Sequence, residues 1–178
     1  MKLHDWLNLT AAFGVLAGLI LVAMEIRQSN DLANAESLRE LWVHDNQIDM
    51  FAFENGVLPL IEKSINDPLG LTDEEIIKLD VYLSMEMQHQ IMVANMRDQF
   101  GEFSTLELQS KSIVEDVLSG PFSRGWFYAN QGWLEDYHPA LTAAVNKRLS
   151  ATGMDAGISW PSYIRENVRR VVGSQRDE

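Results

Sequence analysis

Cysteine is missing from all 178 residues. Its absence excludes a disulfide framework, Cys-ligated zinc, iron–sulfur clusters and thiol catalysis, and it leaves the compartment open, because a cysteine-free domain survives on either side of a membrane. Positive charge is scarce: 14 Lys and Arg stand against 26 Asp and Glu, a formal charge of −12. A nucleic-acid groove needs a dense basic surface, so nucleic acid is not an expected partner. No stretch alternates apolar and polar residues well enough for a sheet. Nor is there a phosphate-cradling glycine loop, a nucleophile-elbow serine or an H-E-x-x-H pair, so hydrolase, kinase and nucleotide-binding readings have no support.

What the chain does have is 46% apolar residues, which sets it apart from disordered chains, at a length that suits one domain. Charge is divided into three zones. Residues 1–27 balance to zero, residues 28–143 carry six basic and twenty acidic side chains, and residues 144–178 carry six against four. The middle is therefore an acidic body and the end an arginine-bearing tail. These zones give the expected organisation: an anchor at 1–27, an acidic helical domain at 28–150 and a tail at 151–178.

From Trp6 to Met24 nineteen residues pass without a charge. As a helix they extend roughly 28 Å, close to a hydrocarbon core of about 30 Å. Nine of them are Leu, Ile, Val or Phe, worth roughly −4 kcal/mol on an insertion scale. Trp6 suits the interface, and Glu25 and Arg27 mark the return to water. A cleaved signal peptide is the first alternative. Asp5 lies in the would-be basic start, and the A-x-A candidate Ala33-Asn34-Ala35 lies beyond Glu25, Arg27 and Asp31, so an uncleaved anchor is the expectation. A buried soluble helix is the second, since the run is short for a span. Gly14 and Gly18 form G-x-x-x-G, the spacing that lets a second helix approach and make a homodimer.

No Gly or Pro falls between Gly18 and Gly56, and Ile26, Leu32, Ala35, Leu38, Leu41, Trp42, Ile48 and Phe51 recur at three- and four-residue steps. The spacing predicts one long helix out of the span. A short apolar piece at Leu58–Ile65 and a loop at Asn66–Gly70 follow. Thr72 and Glu75 form a capping box opening a helix that runs about eight turns to Gly101, and Ser104 and Glu107 form a second. That second helix is expected to continue to Gly120. Pro121 starts another, carrying Trp126, Phe127 and Trp133, which Gly132 and the His138-Pro139 step interrupt; a last one runs from Pro139 to near Gly153. The expected fold is all-α: an N-terminal transmembrane helix continuing into a soluble bundle of about four to six helices.

The apolar span, the Ile26-Arg27-Gln28 exit, the long helix, the acidic-capped helix at Thr72, and Ser119-Gly120-Pro121 followed by Trp126-Phe127 resemble a widespread group of uncharacterised bacterial proteins with one N-terminal membrane helix and a small all-helical domain. The resemblance covers roughly residues 9–150. It implies the bacterial inner membrane, a single pass and a cytoplasmic domain, and it carries no activity, cofactor or site residue with it.

Glu86 and His89 make E-x-x-H on a predicted helix, the spacing of di-iron four-helix bundles, and are the metal-site candidates. A second copy, Glu135 and His138, precedes Pro139, which disfavours the helical backbone it needs. One well-placed motif makes no di-metal site, and the pair reads more simply as hydrogen-bonded or solvated side chains. Glu40 and His44 read as an exposed i, i+4 contact. Around Ser159–Val172 an Arg-bearing amphipathic helix is expected to pack on the acidic body, with an anionic leaflet as the alternative. The resulting expectation is a membrane-anchored interaction or sensory module, with the lipid bilayer and an unidentified protein as partners and no catalytic residue or cofactor. A carboxylate/His metal enzyme and a secreted soluble helical protein are the alternatives.

Overall fold

The computed structural model describes residues 3–100 and 105–153. Among these described residues six α-helices follow one another: α1 (Leu3–Glu54), α2 (Val57–Asn66), α3 (Asp73–Phe100), α4 (Leu106–Ser112), α5 (Pro121–Tyr137) and α6 (Pro139–Thr152). A 3₁₀ turn, Pro68–Gly70, precedes α3, and a π-helical turn, Ile113–Val117, extends α4. There is no strand among the described residues, so the all-α expectation holds, with a long apolar helix first. The expected tail helix at 159–172 lies outside the described residues.

The chain divides into two compact units, Met1–Glu40 and Leu41–Glu178. In the first, the described side chains of Ala11–Met24 are all exposed. In the second, the end of α1 and helices α2–α6 enclose one apolar core. Its largest members are Trp126, Phe122 and Phe127 of α5, packed with Leu79, Leu83 and Met87 of α3, Val57 of α2, and Leu141, Val145 and Leu149 of α6.

The helix boundaries follow from local chemistry. Gly56 joins α1 to α2 at φ +63°, a left-handed backbone that side-chain-bearing residues resist. The Thr72 box forms in both directions: Glu75 Oε2 accepts from the Thr72 N–H at 2.7 Å and Thr72 Oγ1 from the Glu75 N–H at 3.3 Å. Lys63 Nζ donates to the same Glu75 carboxylate at 2.7 and 3.0 Å, tying α2 to the start of α3. That hydrogen bond first, and the Thr72 N–H second, hold the Glu75 carboxyl below the usual carboxylate range. Pro121 and Pro139 each occupy the first turn of a helix, where the missing N–H costs nothing.

Three expectations are corrected. The cap of α4 is Thr105, whose Oγ1 accepts from the Leu108 N–H at 3.2 Å, so the Ser104–Glu107 box is displaced by one residue. Gly132 does not interrupt α5, which runs unbroken to Tyr137. An interior glycine costs about 1 kcal/mol, and the burial of Trp126, Phe127 and Leu134 on the same helix outweighs it. The helix after Thr105 also stops being α-helical at Ile113: the Leu118 N–H bonds the Ile113 carbonyl at 2.8 Å, an i→i+5 bond. Arg124, itself buried, closes that end by donating from Nη1 to the Ser119 carbonyl at 2.8 Å and the Leu118 carbonyl at 3.4 Å.

Candidate functional site

Glu86 and His89 lie on one face of α3, three residues apart. Tyr82, one turn earlier, hydrogen-bonds the Glu86 carboxyl. Against this face lies His44 of α1, its ring stacked on that of His89 with centroids 5.7 Å apart and planes 18° from parallel. Asp45 Oδ1 is 3.9 Å from His89 Nε2, too far for a hydrogen bond and near enough for charge to matter. The Nδ1 atoms of both imidazoles are buried with no hydrogen-bond partner. The His89 side chain is only 16% exposed.

Burial governs the titration here. It pushes His89 below the usual imidazole range, against the pull of Asp45. It does the same to His44, helped by the neighbouring His89 and opposed by Asp45 and Glu86. It pushes the Glu86 carboxyl up, with Asp45 and Asp49 adding repulsion and Tyr82 and His44 opposing. Tyr82 is raised as well, by burial first and then by the Glu86 charge. All four groups, His44, His89, Glu86 and Tyr82, therefore favour their neutral forms.

The histidines and Glu86 pull the pH dependence of stability in opposite directions. A histidine whose folded pKa is depressed binds its proton more readily in the unfolded chain, so its contribution to stability falls as pH drops below the unfolded value near 6.5. Glu86 acts oppositely: its raised folded pKa adds stability below the unfolded value near 4.5, which is lost as pH rises through the folded one. Urea unfolding followed by circular dichroism is expected to show lower stability at pH 5.5 than at pH 7.5. In a His44→Gln, His89→Gln double variant that difference should shrink; an unchanged difference would assign the pH response elsewhere.

Among the described residues no three His, Asp or Glu side chains are gathered so as to hold a metal ion. Glu86 and His89 share a face of α3, and among the described residues no third His, Asp or Glu gathers with them. The second E-x-x-H is divided: Glu135 accepts from Gln131 at 2.7 Å on α5, whereas His138 leaves the helix at φ −152°, ψ 79°. His138 instead caps α6, its Nδ1 accepting from the Leu141 N–H at 3.1 Å while Nε2 faces Asp98 Oδ2 at 3.3 Å. His44, whose i, i+4 spacing pointed to an exposed contact with Glu40, stacks on His89, 45 positions away. No local spacing announces that pairing.

Gly14 and Gly18 have no neighbour within 4 Å of where a Cβ would sit, so their face of α1 is open. Comparisons with protein-family models, curated proteins and solved structures find no match, and the resemblance to the one-span bacterial group gains no support from them.

Proposed function

We propose that this chain is a single-pass protein of the bacterial inner membrane, anchored through residues 6–24, whose helical domain lies in the cytoplasm and acts as a protein-interaction or sensory module without catalysis. The observation that carries the reading is the exposure of the apolar stretch of α1. Phe13, Leu16, Leu19, Ile20, Leu21 and Met24 are each more than half exposed, and the helix is long and apolar enough to cross a membrane. Water is a poor solvent for that surface and a hydrocarbon core a good one. The open face at Gly14 and Gly18 leaves room for a second copy of the span.

The interaction part of the reading draws on a different surface. Trp42, Met50 and Phe53 are 69%, 59% and 81% exposed near the end of α1, spaced to share one stripe of the helix. Large apolar side chains grouped in this way are more usual at interfaces than on inert surfaces.

Expressing the full chain with a C-terminal tag, washing membranes with alkaline carbonate and treating spheroplasts with protease tests the proposal. Full-length protein retained in the washed membrane and protected from protease is the expected result. Digestion from outside would turn the domain to the periplasm, and a shortened soluble form would make the apolar stretch a cleaved signal and overturn the anchor.

A further inference from the structure

Glu86 faces a second environment besides the histidine stack. It lines a cavity of about 240 Å³ between α2, α3, the π-helical turn and the start of α5. The cavity is smaller than the 300–1,000 Å³ or so usual for drug-sized ligands, so its occupant is small. Its wall has two chemistries. Ile61, Leu83 and Phe122 supply an apolar side, while the carboxylates of Glu86 and Asp116 and the hydroxyls of Ser64 and Ser123 supply a polar one. No Lys, Arg or His is among the described residues that line it. Asp116 belongs to the π-helical turn, a departure from α geometry that recurs at functional sites. Its Oδ2 accepts from Ser112 Oγ at 2.7 Å, which holds the carboxylate in place.

We propose that this cavity binds a small organic cation, a primary amine on a short apolar body, with the ammonium held by Glu86 and Asp116 and the body against Ile61, Leu83 and Phe122. An anion would meet two carboxylates with no compensating cation. A neutral apolar molecule would leave the polar side of the wall, with the Asp116 carboxylate, unanswered. An ammonium answers both carboxylates, offers three donors, and is drawn inward by the acidic body. Because burial raises the Glu86 carboxyl, a bound ammonium pulls it back down, and binding expels protons from the site. This inference goes beyond membrane attachment and does not depend on it.

The test is titration calorimetry on the full chain in detergent, with 1-aminobutane and 1,4-diaminobutane as probes and 1-butanol and butyrate as neutral and anionic counterparts. At least one amine is expected to bind saturably at one per chain, more tightly at pH 8 than at pH 6, and the alcohol and the acid not at all. Glu86→Gln and Asp116→Asn keep shape and remove charge, and each is expected to weaken amine binding about tenfold, the worth of one charge-assisted hydrogen bond. Asp73→Asn, at the start of α3 and outside the cavity, removes the same net charge and is expected to leave affinity unchanged. Circular dichroism on each variant separates lost binding from lost folding. Failure of both amines to saturate, equal binding of the alcohol, or indifference to both cavity variants would overturn the assignment.

Discussion

Replacing Trp126 with alanine is expected to cost about 3–5 kcal/mol of domain stability, the usual range for emptying a large aromatic site in a core. Trp126 is fully buried in α5, at the centre of the apolar cluster. Its indole Nε1 also donates to Asp80 Oδ1 of α3 at 2.6 Å, a short charge-assisted bond joining residues 46 apart. Trp126→Phe separates the two contributions. It keeps most of the apolar contact and leaves the partly buried Asp80 without its donor, a cost of about 1–3 kcal/mol. Since single domains hold about 5–15 kcal/mol in all, Trp126→Ala is expected to lower the melting temperature by on the order of 10 °C or more. Thermal unfolding of both variants in the same detergent provides the check. Equal losses for the two would place the energy in the hydrogen bond; a loss under about 1 kcal/mol for the alanine variant would contradict a core role, given the typical cost of such truncations.

Under the proposed anchoring, arginine in place of both Leu16 and Ile20 is expected to abolish retention in the membrane fraction. The nine strongly apolar residues of the span contribute roughly −4 kcal/mol, and each arginine near the middle of a helix costs about 2.5–3.5 kcal/mol. Two reverse the sign of insertion. One alone brings it close to zero, so Leu16→Arg should divide between washed membrane and supernatant, while Ile20→Val should partition as the unaltered chain does. Residues 16 and 20 lie one turn apart and are equally exposed, so both arginines meet the same surroundings on α1. Retention of the double variant after carbonate washing would show that the apolar stretch of α1 is not what holds the chain to lipid.

Much of the helical layout was legible in the sequence because local chemistry decides it. Thr72 and Glu75 satisfy each other's backbone N–H groups without help from distant residues, and Pro121, Pro139 and Gly153 occupy the helix-end positions that their own geometry favours. Where packing outvotes local preference, reading failed. Gly132 reads as a break and is carried through by its neighbours on α5. Arg124, which no local spacing singles out, is buried with its guanidinium donating to two carbonyls at the end of the π-helical turn. The candidate site was half legible. Its α3 half, Glu86 and His89, follows from a three-residue spacing; His44 and Asp116 arrive from elsewhere in the chain, and only the folded core brings them near.

The π-helical turn has one more consequence. An α-helix repeats every 3.6 residues and a turn with i→i+5 bonding takes about one residue more, so each side chain beyond it is rotated by about 100° from where an unbroken helix would present it. The buried positions follow that altered count: Ile113, Val114 and Leu118 are shielded, while Val117, four after Ile113, is only partly so. In effect the bundle changes its bookkeeping from fours to fives for one turn. The spare residue offsets the register just before Gly120, where the chain passes against Ile65 so closely that a β-carbon would come within 2.9 Å of that side chain. Restoring ordinary α spacing by removing one residue between Ile113 and Val117 would reset the phase of this crossing as well as of the helix, which makes this short turn a place where chain length and core shape are a single variable.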